Sequence, residues 1–309
     1  MDLSVYNRAK VIRDMLTYFD DFPVFSIVEL NIFSACTRSC AFCPISDKDF
    51  YKRNHITGKL KLSVYKKLLN DLKSIGYHGR IIFSGFCEPL LHKNLQELVG
   101  ETKAVLPAAS LEIITNGDLL DFSMLDELFQ AGLKFITISL YDGAHQFEHF
   151  NKMKMKAGLS DSQMLLRRRY YQDGDYGFII SNRGSLVHSN NYRDKNESQI
   201  ETLPLQRICY YPFYMIHMDL NGDILICSHD WQKRFVVGNI LKENIWDIWK
   251  KKNLNSLRLS MAHADRNIIP CNICDVKGDV MGKDSFIAWC KATGINPDSL
   301  SRTYSTEGR

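Results

Sequence analysis

Cys36, Cys40 and Cys43 form a Cys-x-x-x-Cys-x-x-Cys loop directly after an apolar, β-rich run, Phe25-Ser-Ile-Val-Glu-Leu-Asn-Ile-Phe33. A buried strand that delivers three thiols to one short loop constrains the rest of the chain, because such a strand needs partners on both sides. The sequence supplies them in alternation with helices. Leu62, Tyr65, Leu68, Leu69, Leu72 and Ile75 have the i, i+3, i+4 spacing of an amphipathic helix. Ser63 is a plausible early cap for it, and Gly76 stands where a helix end takes a left-handed residue. Arg80–Ser84, Leu111–Thr115 and Lys134–Leu140 read as strands, with helices over Lys93–Leu106 and Ser123–Ala131. This alternation predicts parallel βαβ units, whose ligands bind at the carboxyl ends of the strands. The Cys36 loop, the Gly85-Phe-Cys-Glu-Pro89 turn and Thr115-Asn-Gly117 are therefore expected on one rim.

After Asp142 the pattern weakens into a polar stretch, residues 143–207, in which the triplet Arg167, Arg168 and Arg169 reads as a solvated face. Tyr176–Ile180 reads as a further strand entering Ser181-Asn-Arg183-Gly184. From Cys209 onward, Tyr214–Leu220 and Ile224–Cys227 flank Asn221-Gly222, which predicts a hairpin closed by a type I′ turn. Helices over Asn244–Lys252 and Ser256–His263 precede Cys271-Asn-Ile-Cys274. Trp246 and Trp249 are read as packing residues. The expected division is a helical extension over 1–22, an α/β unit over 23–207, a metal-organised appendage over 208–280 and a tail over 281–309.

At 309 residues, 45% hydrophobic and 24% charged, the composition is that of an ordinary soluble globular protein. The net charge of +4 gives no ground for a nucleic-acid partner. Met1–Asp21 has no apolar core of a signal peptide, and no run is long enough to span a membrane. A cytoplasmic, reducing location follows as the expectation, so the nine cysteines call for a use other than disulfides.

Three thiolates on one loop can hold three irons of a [4Fe–4S] cluster and leave the fourth iron open to an outside ligand such as an amino-carboxylate. Structural zinc wants four ligands, which this loop does not offer alone. Cys209, Cys227, Cys271 and Cys274 make a second set of four, and their spacing alone admits a zinc site as readily as a cluster. Cys87 and Cys290 remain over.

The first motif and its place after the first strand resemble the radical S-adenosylmethionine (SAM) superfamily. The resemblance implies a partial (β/α)6 TIM-like barrel with SAM at its open end. It also implies that Phe42 lies near the SAM adenine and that Gly85, Glu88 and Pro89 belong to the turn whose backbone edge meets the SAM amino group. Cys87 departs from the family there, where glycine is usual. Asn116 and Ser139 are candidates for the SAM ribose. The run from Cys209 through Gly238-Asn-Ile240 to Cys274 is similar to the family's SPASM and shorter twitch domains. Four cysteines suit the twitch form with one auxiliary [4Fe–4S] cluster. Glu88-Pro-Leu-Leu91, Thr115-Asn-Gly-Asp118 and Ser181-Asn-Arg-Gly184 resemble a twitch branch of antibiotic biosynthesis that oxidises an aminocyclitol.

The resemblance implies a 5′-deoxyadenosyl radical that takes hydrogen from a polar small molecule. The leading expectation is oxidation of a secondary alcohol of a sugar or aminocyclitol, with the auxiliary cluster accepting an electron. Arg183 is the first candidate to orient the substrate. His229 replaces an acidic residue of that branch and is expected to face the substrate cavity. An external donor such as flavodoxin or ferredoxin would supply the reducing electron. Alternatives are an epimerase using Cys87 or Cys290 as hydrogen donor, a peptide-modifying enzyme, and a zinc-binding interaction module.

Overall fold

The computed structural model of the chain describes residues 3–188 and 202–300. Part of the expected polar stretch and the end of the expected tail lie outside those residues. Helix α1 (Leu3–Asp14) and a small ribbon of β1 (Tyr18–Phe19) and β2 (Phe22–Pro23) precede β3 (Ile27–Leu30). Helices α2 (Phe50–Arg53) and α3 (Leu62–Ser74) then lead to β4 (Arg80–Phe83), and α4 (Leu95–Val105) to β5 (Ser110–Thr115). Helix α5 (Phe122–Ala131) leads to β6 (Phe135–Leu140), and α6 (His145–Lys156) to β7 (Met164–Arg168). The second described segment runs through α7 (Tyr211–Tyr214), β8 (Met215–Met218), β9 (Asp223–Leu225) and β10 (Val236–Asn239). It ends with α8 (Ile245–Trp249), α9 (Lys252–Ala262), α10 (Lys283–Ala292) and α11 (Pro297–Leu300).

Eight of these strands form one sheet in the order β10-β9-β8-β3-β4-β5-β6-β7. The six from β8 to β7 are parallel, as the βα alternation predicts, and form the open half-barrel that the family resemblance implies. Strand β3 lies inside the sheet and is buried along its whole length, Glu29 included. Helix α3 buries Tyr65, Leu68, Leu69 and Leu72 against the sheet. It ends in a Schellman motif: Gly76, at φ +64°, donates to Lys73 O and Tyr77 donates to Leu72 O at 3.0 Å. Its N-cap position is Lys61 rather than Ser63, which sits inside the first turn. Trp246 and Trp249 are buried, and Trp249 Nε1 donates to Pro23 O at 2.8 Å.

Three features differ from the sequence expectation. The β8–β9 turn is not type I′, because Gly222 has a positive φ (+86°) and Asn221 does not. Asp219 Oδ1 instead accepts from the backbone N–H groups of Asn221 and Asp223, which shapes a type I turn closed by a left-handed glycine. Tyr176–Ile180 is not a strand; Gly177 folds it back against Arg168 and sends Phe178 towards Phe42. Helix α6 and strand β7 occupy the stretch read as featureless, and the arginine triplet sits at the end of β7. No helix among the described residues is long and apolar enough to cross a membrane.

Candidate active site

At the carboxyl ends of the parallel strands lies a cavity of about 190 Å³. Cys36, Cys40 and Cys43 come to it from the loop after β3, Gly85, Cys87 and Glu88 from the turn after β4, Asn116 from the loop after β5, and Ser139 from β6. The thiols converge closely enough to influence one another. Burial, followed by the neighbouring Cys43 and Cys36, pushes the Cys40 thiol up to about 11. Burial also raises Cys36 and Cys43. A cationic iron–sulfur core reverses this preference, since the thiolate is the ligating form.

Arg38, between the first two cysteines, ties their loop to the rim. Its guanidinium makes a fork to Asp142, with both bonds at 2.6 Å, and a second fork to Asp118 that includes Nε to Oδ2 at 2.8 Å. Thr37 Oγ1 also donates to Asp118 Oδ2, at 3.0 Å. Asn116 Nδ2 donates to Thr37 Oγ1 at 2.8 Å and lies 3.7 Å from Cys36 Sγ.

Glu88 is buried and holds the second loop. Its carboxylate accepts from Leu90 N, Thr115 Oγ1 and Asn116 N at 3.0, 2.6 and 2.9 Å. Pro89 opens the short 3-10 turn behind it, buried and away from the cavity wall. Gly85 is at φ +88°, and a Cβ there would stand 2.9 Å from the ring of the fully buried His217. Cys87 forms part of the cavity wall, its Sγ donates to Ser84 O at 3.6 Å, and burial pushes its thiol up to about 12.

The opposite wall was not legible as a site. Arg167 and Arg169 alternate on β7 and its extension, so both face the cavity, while Arg168 points away and pairs with Asp175. Arg167 Nη2 donates to Ser139 Oγ at 3.2 Å, and Arg169 lies 4.3 Å over the Phe178 ring. Phe42 stacks on Tyr141 with ring centres 6.0 Å apart and meets Phe178 edge-on at 5.3 Å. A strand period running through the triplet was the signal available in the sequence.

Cys209, Cys227, Cys271 and Cys274 ring a second, apolar cavity. Burial, followed by the other three thiols, raises Cys227 well above its ordinary value, which marks four mutually close sulfurs. Gly278, at φ +76°, makes room for them: a Cβ there would lie 2.5 Å from Cys209 Sγ. Asn182 stitches the Arg183 loop to the CxxC turn through Asp275 Oδ1 and Ile273 O, at 2.8 and 2.7 Å.

Arg183 and His229 stand between the two cavities. Arg183 is on the wall of the first and lies 5.4 Å over Trp231, and Nη1 is 3.4 Å from His229 Nδ1. His229 is on the wall of the second, not the first as expected, and its Nε2 lies 3.3 Å from Tyr211 Oη. Burial, then the charge of Arg183, pushes the imidazole down to about 3. Cys290 is buried in α10 and lines neither cavity.

Among the described residues no group of three or more His, Cys, Asp or Glu side chains closes on a single metal ion. The two thiol sets instead surround spaces, as a cluster several ångströms across requires, and the donor sets of three and four fit one open and one fully ligated iron–sulfur cluster.

Residues 30–161 match the Radical SAM superfamily, and residues 209–275 match an iron–sulfur cluster-binding domain. The chain is 30% identical over 244 residues to the S-adenosyl-L-methionine-dependent 2-deoxy-scyllo-inosamine dehydrogenase of Niallia circulans, covering 79% of this chain and 89% of that one. The crystal structure of BtrN in complex with AdoMet and 2-DOIA matches with a TM-score of 0.68 at 28% identity, covering 82% of this chain and 94% of that one. An open conformation of BtrN matches with a TM-score of 0.59 at 26% identity, covering 82% and 93%. A half-barrel with three thiols on its rim, a second four-thiol site and these likenesses together make the chain a member of the radical SAM superfamily, an oxidoreductase that binds SAM, a [4Fe–4S] cluster and an auxiliary iron–sulfur cluster.

Proposed function

We propose that the protein is a dehydrogenase that converts a secondary alcohol of a sugar or aminocyclitol to the ketone. The observation that carries this reading is the Arg183–His229 contact, which joins the wall of one thiol cavity to the wall of the other. Bound SAM and its cluster supply a radical able to take hydrogen from an unactivated C–H bond. An alcohol carbon that has lost that hydrogen becomes a ketone only by giving up one proton and one electron. The second cavity begins at His229, next to Arg183, and a cluster held there would be the electron acceptor.

In this reading Cys36, Cys40 and Cys43 hold the SAM-binding cluster, and Cys209, Cys227, Cys271 and Cys274 hold the auxiliary one. Phe42, Gly85, Asn116 and Ser139 line the SAM side of the cavity, and Glu88 with Pro89 fixes the turn that meets it. Arg183 orients the hydroxyl, and His229 holds Arg183 from behind. Flavodoxin or ferredoxin supplies the reducing electron.

The test is metal and product analysis of anaerobically reconstituted protein. About eight irons per chain, falling to about four in Cys271→Ala/Cys274→Ala, is expected. That variant keeps 5′-deoxyadenosine formation and loses the ketone. About four irons with one zinc in the unaltered protein removes the acceptor and overturns the reading.

One observation supports a second reading. Cys87 stands on the cavity wall and burial keeps it a neutral thiol, the form that donates a hydrogen atom. A redox-neutral epimerase would depend on it, so full turnover by Cys87→Ala excludes that reaction.

A further inference from the structure

Among the described residues, Arg266 is the one charged side chain that both lies buried in the wall of the second cavity and bonds to two of the three segments carrying its cysteines. It is 1% exposed. Its Nε donates to Arg207 O at 2.9 Å, Nη1 to Val276 O at 2.7 Å, and Nη2 to Ile208 O at 3.3 Å and to Lys277 O. Arg207 and Ile208 precede Cys209, while Val276 and Lys277 follow Cys274. One guanidinium therefore fastens the Cys209 segment to the Cys271–Cys274 segment.

Its surroundings are unusual for a buried cation. The acids nearest the thiols are engaged elsewhere: Asp275 accepts from Asn182 N, Asp279 pairs with Arg207, and Asp230 accepts from Arg234 N and Phe235 N. No carboxylate among the described residues pairs with Arg266. Backbone carbonyls alone offset its charge, although burying a cation without a counter-ion is costly. The expense is explained if the missing counter-charge is the cluster. Four thiolates around a [4Fe–4S] core carry a net negative charge that grows by one on reduction.

We infer that Arg266 is a positioning residue whose uncompensated charge makes the auxiliary cluster easier to reduce. A fixed positive charge at the cavity wall stabilises the more negative, reduced state over the oxidised one, and so raises the reduction potential. This inference requires only that the four thiols hold an iron–sulfur cluster; it stands or falls independently of the alcohol substrate.

The experiment is an EPR-monitored redox titration of the reconstituted holoenzyme and of Arg266→Lys and Arg266→Gln. The SAM-binding cluster in the same sample serves as the internal reference. Arg266→Gln is expected to lower the potential of the auxiliary cluster alone, while Arg266→Lys, which keeps the charge but not the fork, stays near the unaltered protein. Should Arg266→Gln fail to retain the auxiliary cluster while Arg266→Lys retains it, the charge is again the feature that matters. If both variants load the cluster at an unchanged potential, or if both fail to load it, the charge has no special part and the inference is overturned.

Discussion

Arg183 Nη1 lies 3.4 Å from His229 Nδ1, so a guanidinium on the wall of one cysteine-lined cavity is hydrogen-bonded to an imidazole on the wall of the other. A guanidinium only donates, which makes Nδ1 the acceptor and leaves the ring's one proton on Nε2, directed at Tyr211 Oη. His229 then holds Arg183 without competing for its positive charge. If Arg183 orients the alcohol as proposed, replacing it by glutamine removes a charge-assisted contact worth about 1.5–3 kcal/mol. The expected result is a rise of roughly ten- to a hundredfold in KM for the alcohol, with SAM affinity changed less than about threefold. Parallel titrations of SAM and alcohol by the anaerobic enzyme check it.

The double fork from Arg38 to Asp118 and Asp142 predicts that the cluster loop depends on it. Asp142 is half exposed and Asp118 less so, so the Asp118 fork carries more of the energy. Arg38→Met should cost about 1.5–3 kcal/mol of loop order. SAM binding should weaken about tenfold or more, and iron should be lost faster under air. Asp118→Asn should fall between this variant and the unaltered protein, and Asp142→Asn should be milder still. Equilibrium dialysis of SAM and iron-loss kinetics give the ranking.

Gly278→Ala places a methyl 2.5 Å from Cys209 Sγ, on backbone at φ +76° that a side chain resists. The chain cannot accept both without moving a cluster ligand. Reconstituted Gly278→Ala should carry about four irons instead of about eight, with the SAM-binding cluster and its 5′-deoxyadenosine chemistry intact. Iron analysis beside that assay distinguishes this from general misfolding.

His217 sits on β8, fully buried, beneath Gly85 and against Phe86, with its ring centre 4.8 Å from that of Phe86. Burial holds its pKa below 6.5 despite the acids that face it, Glu29 across the sheet and Asp219 past the end of its own strand. The unfolded chain therefore takes up a proton that the folded chain refuses. Stability from this group is complete above pH 6.5 and is lost as pH falls below it. Its contribution to the slope is at most about 1.4 kcal/mol per pH unit. Thermal unfolding between pH 7.5 and 5 should show a shallower decline for His217→Gln, whatever the change in absolute melting temperature.

Much of this site was legible from residue type and spacing, because thiols, glycines and strand ends have local signatures. Cys36 to Cys43, the Glu88 turn and Asn116 all meet where the βα alternation put them. Arg167 and Arg169 were read with Arg168 as a solvated face because their meaning depends on the two-residue period of β7, and that strand is short and flanked by polar residues. Tyr176–Ile180 has strand composition, yet its aromatic rings are drawn to Phe42. The pairing of β8 with β3 joins segments at opposite ends of the barrel sequence, and no local pattern announces a contact of that separation. The type I′ expectation failed at Asp219, whose side chain organises the turn from outside the dipeptide that suggested it.

That pairing has an architectural consequence. Strand β3 runs into the loop of the first thiol set, and β8, hydrogen-bonded beside it, leads through the next hairpin strand to Cys227. The loop of the first thiol set and one cysteine of the second thus hang from strands of a single sheet, not from a hinge or tether. By the same token the C-terminal part is no detachable cassette: cutting the chain before β8 would strip a stave from the barrel and bare the edge of β3.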